Sequence, residues 1–322
     1  MSGIGKNPAS PADITTDTDI DLTSNKPSAL AQPTTRSLTP REQLIRSINS
    51  GLLTFLVVVI ALLWSVPTFG LFVSSFRPPA AIHSTGWWEG LVPPWHFTLE
   101  NYQNVLKTQD FGTAFINSLI ISIPGTIIPV LVAAFAAYAF AWMHFPGRDW
   151  IFLAIVALLV VPIQMTLIPI LGLLTGAGLT GSFIGIWLAH TAYGLPFAIY
   201  LLRSFFGALP GDLMESARID GASHLRIFFR ILLPLAVPSL ASLVIFQFMW
   251  VWNDLLVALV LLGGAPDHAP MTVAIANLVN SFGTNYEVLT AAAFISMALP
   301  LVIFFSLQRY FVRGILAGSV KG

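Results

Sequence analysis

Six predominantly apolar stretches, each near or above the roughly 20 residues a helix needs to cross a ~30 Å hydrocarbon core, constrain this chain more than any other feature. They lie at about 52–74, 115–137, 150–174, 182–202, 235–262 and 288–307. Hydrophobic residues make up 56% of the 322 and charged residues 9%. A water-soluble domain with that ratio would be covered in apolar patches, so the solvent for most of the chain is lipid. Because every backbone polar group must be satisfied within lipid, the expected fold is all-α, a polytopic membrane protein with six transmembrane helices. Residues 1–45 are rich in Ser, Thr, Pro and Asp and lack the basic start and apolar core of a signal peptide. They are expected to form a disordered cytoplasmic tail, leaving 46–322 as the membrane domain. There is no cysteine, so disulfides and Cys-based metal or redox sites are excluded.

The net charge is zero, but the placement of the charges is informative. Basic residues near span ends are retained on the cytoplasmic side. With both termini inside, Lys6, Lys26, Arg36, Arg41, Arg46, Arg148, Arg203, Arg218, Arg226, Arg230, Arg309, Arg313 and Lys321 face the cytoplasm. Only Arg77 and Lys107 fall outside, and removing one span would scramble this thirteen-to-two partition. The outer segment also carries Trp87, Trp88 and Trp95, which suit anchoring at a membrane interface.

Between the fourth and fifth stretches, residues 204–234 read SFFGALPGDLMESARIDGASHLRIFFRILLP. Pro210 and Asp212 are helix-start residues, and Leu213, Met214, Ala217 and Ile219 are spaced for one apolar face. Gly221 follows, where a chain leaving a helix commonly takes positive φ. Ser223 can then cap a second helix bearing Leu225, Phe228, Phe229 and Leu232. The spacing predicts helix, tight turn and helix on the cytoplasmic face.

Within that segment Glu215, Ser216 and Ala217, then Asp220, Gly221 and Ala222, then Ile231, Leu233 and Pro234 resemble the EAA loop of ABC importer permeases. One departure is Ser216, where alanine is usual, and a small residue remains. The segment FQFMWVWNDLLVAL from Phe246, the run VVPIQMTLIPI from Val160 and the C-terminal QRYFVRGILAGSVKG from Gln308 are similar to the maltose-type, MalG-like sugar importer permeases. The stretch SFRPPAAIHSTGWW from Ser75 looks most like permeases for α-glucosides. The resemblance covers about 45–322. It implies a subunit that pairs with a second, different permease subunit, with two ATP-binding subunits and with an extracytoplasmic solute-binding protein. The cargo it implies is a disaccharide or oligosaccharide. It further implies that Glu215, Ser216, Ala217, Asp220, Gly221, Ala222, Leu233 and Pro234 engage the ATPase.

The chain has no GxxxxGK[ST] loop of its own, so no cofactor is expected on it and ATP-Mg would be used by the partner subunits. A short helix projecting from two spans could serve as a lever, its apolar face entering a groove on the ATPase. The bland reading of the same segment is a surface helix-turn-helix capping the bundle. A secondary transporter would show several ionisable groups within its spans, and a membrane enzyme a constellation such as HExxH or GxSxG; neither is present. Nothing points to nucleic acid or to a metal.

Of the fifteen acidic residues only Asp254 lies deep in an apolar run, with Asn253 before it. A carboxylate at that depth is costly unless paired or facing water. Asn253 and Asp254 either bind a sugar hydroxyl or gate the pore, or they cap a helix break or bond a neighbouring span. Gln164, Gln247, His190 and Tyr193, with Asn277 and Asn280 further on, are the other candidates for the pore or substrate path. Each taken alone fits an interhelical hydrogen bond. Pro124, Pro129, Pro162, Pro169, Pro196 and Pro300 predict kinked spans.

Overall fold

A computed structural model describes residues 40–108, 111–263, 267–278 and 286–319, with the backbone alone at 40–50, 108 and 309–319. The tail expected at 1–45 lies outside the described residues up to 39, and residues 40–45 form the first turns of a helix, with Pro40 at its first position. The chain divides after Leu62 into two units, and the second, 63–322, holds every element after the first helix.

That first helix, α1 (Pro40–Ser75), spans the division. A connecting segment follows with α2 (Pro79–Ser84), a 3₁₀ turn (Trp87–Leu91) and α3 (Glu100–Thr108). The membrane part continues with α4 (Phe111–Trp142), α5 (Arg148–Ala157) extended by a 3₁₀ turn (Leu158–Val160), α6 (Ile163–Gly176) and α7 (Phe183–Gly207). Next come α8 (Gly211–Ile219), α9 (His224–Ile227), a π turn (Phe228–Leu232), α10 (Leu233–Trp252), α11 (Leu256–Leu262), α12 (Met271–Leu278) and α13 (Tyr286–Ser319). No strand occurs among the described residues. Among the described residues five helices are long and apolar enough to cross a membrane, and a bent pair makes a sixth if it is one span.

The expected third span, 150–174, is not one helix. Its halves, α5 with its 3₁₀ extension and α6, meet at an angle of 106°. Pro162 supplies the reason: it has no N–H to continue the helix, and it pushes Val161 into extended backbone with φ −75° and ψ 117°. Whether the pair crosses or turns back is decided by its neighbours. The Trp187 indole N–H donates to the Ile120 carbonyl at 2.8 Å, and that of Trp142 donates to the Phe206 carbonyl at 3.1 Å. Both N-terminal ends and both C-terminal ends of α4 and α7 are therefore paired, so the two helices run parallel. The chain between them must return across the bundle, and α5 with α6 is that crossing.

The fifth stretch, expected as 235–262, is also interrupted. Pro234 cannot donate to the Arg230 carbonyl, and the helix widens into a π turn just before it. At the other end α10 stops at Trp252 and α11 begins at Leu256. The Asn253 side-chain amide donates to the Met249 carbonyl at 2.7 Å, the local competition that makes Asn a helix-ending residue. α10 runs antiparallel to α4, since Gln247 meets Gly125 while Phe228, a few residues before α10, packs on Tyr138. α13 docks on α10 where the Trp252 indole N–H donates to the Ser296 carbonyl at 3.1 Å.

The segment 76–108 is folded rather than extended. The buried Arg77 guanidinium donates to the carbonyls of Ala81 and Gly86 and to the Thr85 hydroxyl. Asn101 donates to the carbonyls of Ser75 and Arg77. Trp88 and Trp95 are exposed.

Candidate functional site: the loop between the fourth and fifth spans and the Asp254 junction

The loop after α7 forms the expected pair of short helices. α8 ends in a Schellman turn: the Gly221 N–H donates to the Arg218 carbonyl at 3.0 Å and the Ala222 N–H to the Ala217 carbonyl at 2.9 Å. Gly221 has φ +76°, and a β-carbon there would have no atom within 4 Å, so glycine is required by the backbone and not by space. Ser223 caps the second helix by accepting from the Arg226 N–H at 3.4 Å.

The single apolar face expected on α8 is split. Met214 and Ala217 are buried in a cluster with Tyr138, Leu202 and Phe206 from α4 and α7. Leu213 is exposed, and Ile219 is 80% exposed. The division follows from helix spacing, since Met214 and Ala217 are three apart while Ile219 lies two beyond Ala217, round the helix. Glu215, Ser216 and Asp220 share the exposed side, and neither acid forms an ion pair among the described residues. Ala222 and Leu233 are half-buried, and Pro234 is exposed at the start of α10.

Three contacts that sequence reasoning missed tie this loop to α4. The Arg218 guanidinium donates to the Trp142 carbonyl at 2.9 Å, and the Tyr138 hydroxyl lies 2.9 Å from Nδ1 of His224. Phe135 stacks on Phe228 with ring centres 4.6 Å apart. No local pattern marks such pairs, which join residues 76 to 93 positions apart.

At the other end of the bundle, Asp254 sits in the break between α10 and α11. Its carboxylate accepts from the Val257 N–H at 3.2 Å and the Ala258 N–H at 2.9 Å, an N-terminal cap for α11. The Thr272 hydroxyl donates to the Asp254 carbonyl. Ser118 and Ser122 of α4, His190 of α7 and Trp252 line the same cleft, which has no room for a water molecule. Ser118 also accepts from the Met271 N–H at 2.8 Å, and Asn117 donates to the carbonyls of Asp267 and Ala269. Their spacing along α4, at 117, 118 and 122, is the signal that could have found them.

The other candidates are dispersed. Gln247 is buried over Gly194 and donates to the Gly125 carbonyl at 3.1 Å. Tyr193 is half-buried with its hydroxyl 3.0 Å from that of Thr166. Gln164 is exposed in the first turn of α6, beside the Pro162 break, and Asn253 is exposed next to Asp254. None of Gln164, Tyr193 and Gln247 lines the Asp254 cleft. Asn277 is exposed on α12, and Asn280 lies outside the described residues.

The sequence of this membrane domain, including the two-helix loop, matches a family model over residues 129–317, that of the inner membrane component of binding-protein-dependent transport systems. The chain belongs to this family. The permease is 58% identical over 268 residues, 82% of its length and 90% of the relative's, to the osmoprotective compounds uptake permease protein GgtD of Synechocystis sp.. It is 56% identical over 236 residues, 72% of its length and 62% of the relative's, to the alpha-glucoside transport system permease protein AglG of Rhizobium meliloti. Its fold matches, with TM-score 0.70, a chain of a bacterial ABC transporter involved in the import of the acidic polysaccharide alginate. That match covers 86% of the permease and all of the other chain at 22% identity.

Proposed function

We propose that this permease is one half of the membrane pore of an ATP-driven importer for an α-glucoside, with the loop 204–234 as its contact to a separate ATPase. The observation that carries the coupling role is the geometry of that loop. α8 is anchored on its inner side by Met214, Ala217 and Arg218, while its outer side presents Leu213 and Ile219, both exposed, and Glu215 and Asp220, which form no ion pair among the described residues. An apolar and acidic helix face held on a rigid turn suits a groove with basic groups at its rim. In this reading the bundle pairs with a second, different permease subunit, two ATP-binding subunits supply the work, and a solute-binding protein delivers the sugar. The loop 204–234 and both termini face the cytoplasm, in line with the charge partition.

An α-glucoside is favoured by the 56% identity to a permease named for alpha-glucoside transport. A second reading, a non-sugar compatible solute, is favoured by the 58% identity to a permease named for osmoprotective compounds. Uptake into proteoliposomes holding the complete importer and its solute-binding protein separates the two. Labelled trehalose and sucrose are expected to accumulate only with ATP inside and Mg²⁺ present, and glycine betaine is not. Betaine uptake without α-glucoside uptake would overturn the sugar reading. Uptake driven by a proton gradient without ATP would overturn the importer reading altogether.

A further inference from the structure

His190 on α7 is fully buried, yet neither of its ring nitrogens has a hydrogen-bond partner among the described residues. Buried polar side chains are as a rule satisfied, so such a group calls for an explanation. The same band of the α4–α7 interface leaves the hydroxyls of Thr126 and Thr191 without partners. Around the ring stand Gly125 of α4, whose β-carbon position is 3.6 Å from Cβ of His190, and the Trp250 ring, set edge-on at 5.3 Å. The one charged group facing it among the described residues is Asp254, whose Oδ2 lies 3.8 Å from Nε2.

That separation exceeds the usual N–H···O limit of about 3.2 Å, and a relative shift of about 1 Å would bring the two into hydrogen-bonding range. The carboxylate has capacity for the bond: it accepts two backbone N–H groups, and a carboxylate offers about four lone-pair sites. A sugar hydroxyl as the missing partner is disfavoured because the cleft does not admit even a water. Such a shift would fall on the backbone at Asp254. Residues 253–255 separate α10 from α11, and α11 is fastened at its far end by the Gly181 N–H donating to the Leu261 carbonyl at 2.9 Å.

We propose that His190 and Asp254 form a hydrogen-bonded latch between α7 and the α10–α11 junction, made in one state of the transport cycle and open in the conformation described here. The inference rests on the importer reading above. Closing the latch draws Asp254 toward α7. α11 follows because the same carboxylate caps it, and α12 follows through the Thr272 hydroxyl bonded to the Asp254 carbonyl. His190 thus acts as a positioning residue for the junction, a two-state element of the kind that links a local contact to a larger movement.

The absence of native cysteine allows a direct test. A Leu255→Cys reporter beside the junction, in the complete importer in proteoliposomes, is labelled with a maleimide in the nucleotide-free and the Mg-ATP-vanadate-trapped states. Labelling is expected to differ between the states by about fivefold or more, the lower end of ordinary coupling between sites. His190→Ala should abolish the difference, and His190→Gln, which keeps an N–H donor, should retain most of it. If His190→Ala does not assemble, His190→Phe, which fills the same space without a donor, serves instead, and it should likewise abolish the difference. Equal labelling in both states, or a difference indifferent to His190, overturns the latch while normal vanadate trapping leaves the importer intact. Failure of trapping itself overturns the importer reading and the latch with it.

Discussion

Glycine 221 shows how much a single residue in a polar loop can reveal. Its φ of +76° is imposed by the turn, and nothing stands near its β-carbon position. Gly221→Val therefore carries only the backbone penalty, about 1 to 2 kcal/mol, and should leave membrane insertion intact. It should instead tilt α8 against α9, so that the ATPase co-purifies poorly or hydrolyses ATP without import. Gly221→Asn, which tolerates the left-handed region, should keep most of the coupling. Normal uptake with normal ATPase association in Gly221→Val would remove the loop from the coupling path. This turn was legible because the apolar periodicity stops there and a capping serine follows. Gly194 carries no such mark. A β-carbon there would fall 2.6 Å from the Gln247 side-chain nitrogen on α10 and would push that amide off its bond to the Gly125 carbonyl, a contact set by a helix about fifty residues away. His190 stayed equally opaque, since its neighbours come from α4 and from the α10–α11 break.

At the scale of elements, the apolar stretches located the spans well and their interruptions poorly. A window of about 19 residues averages over one proline or one Asn-Asp pair, so 150–174 and 235–262 read as single spans, although Pro162 already predicted a kink and a capped helix break was one of the two readings of Asn253 and Asp254. Yet Pro162 and the pair Asn253–Asp254 are strong local signals once each is asked what its backbone and side chain can bond. The split face of α8 was missed for a related reason: spacing placed four apolar residues together, while docking on α4 and α7 took only Met214 and Ala217. The capped break yields a graded expectation. Asp254→Asn retains an oxygen to accept from the α11 N–H groups, so the subunit should assemble and only the transport rate should change. Asp254→Leu leaves two buried donors unsatisfied at roughly 1 to 3 kcal/mol each, so both assembly and rate should fall. The amounts of membrane-inserted complex and the initial uptake rates measure the two effects. A leucine variant equal to the natural protein in both would show that the cap is dispensable.

For the whole molecule, the decisive relation is the parallel pairing of α4 and α7, because it requires a crossing between them without reference to charge. Two parallel helices require an intervening return, so the broken pair α5 and α6 counts as a span despite its 106° bend. The loop carrying α8 then lies at the C-terminal ends of α4 and α7, where Arg218 meets Trp142, and Asp267 lies at the opposite end, where Asn117 bonds its carbonyl. Both Glu215 and Asp267 are exposed. The thirteen-to-two partition of basic residues favours the Glu215 end as the cytoplasmic one, the orientation proposed above. Glu215→Cys and Asp267→Cys, introduced separately, should therefore react with an impermeant maleimide from opposite sides. Intact cells should label only the variant at 267, and inverted vesicles only the variant at 215. Labelling of both from one side would break the crossing count and with it the parallel pairing. Opposite labelling with the sides exchanged would preserve the fold but place α8 outside, where no ATP-driven partner could reach it.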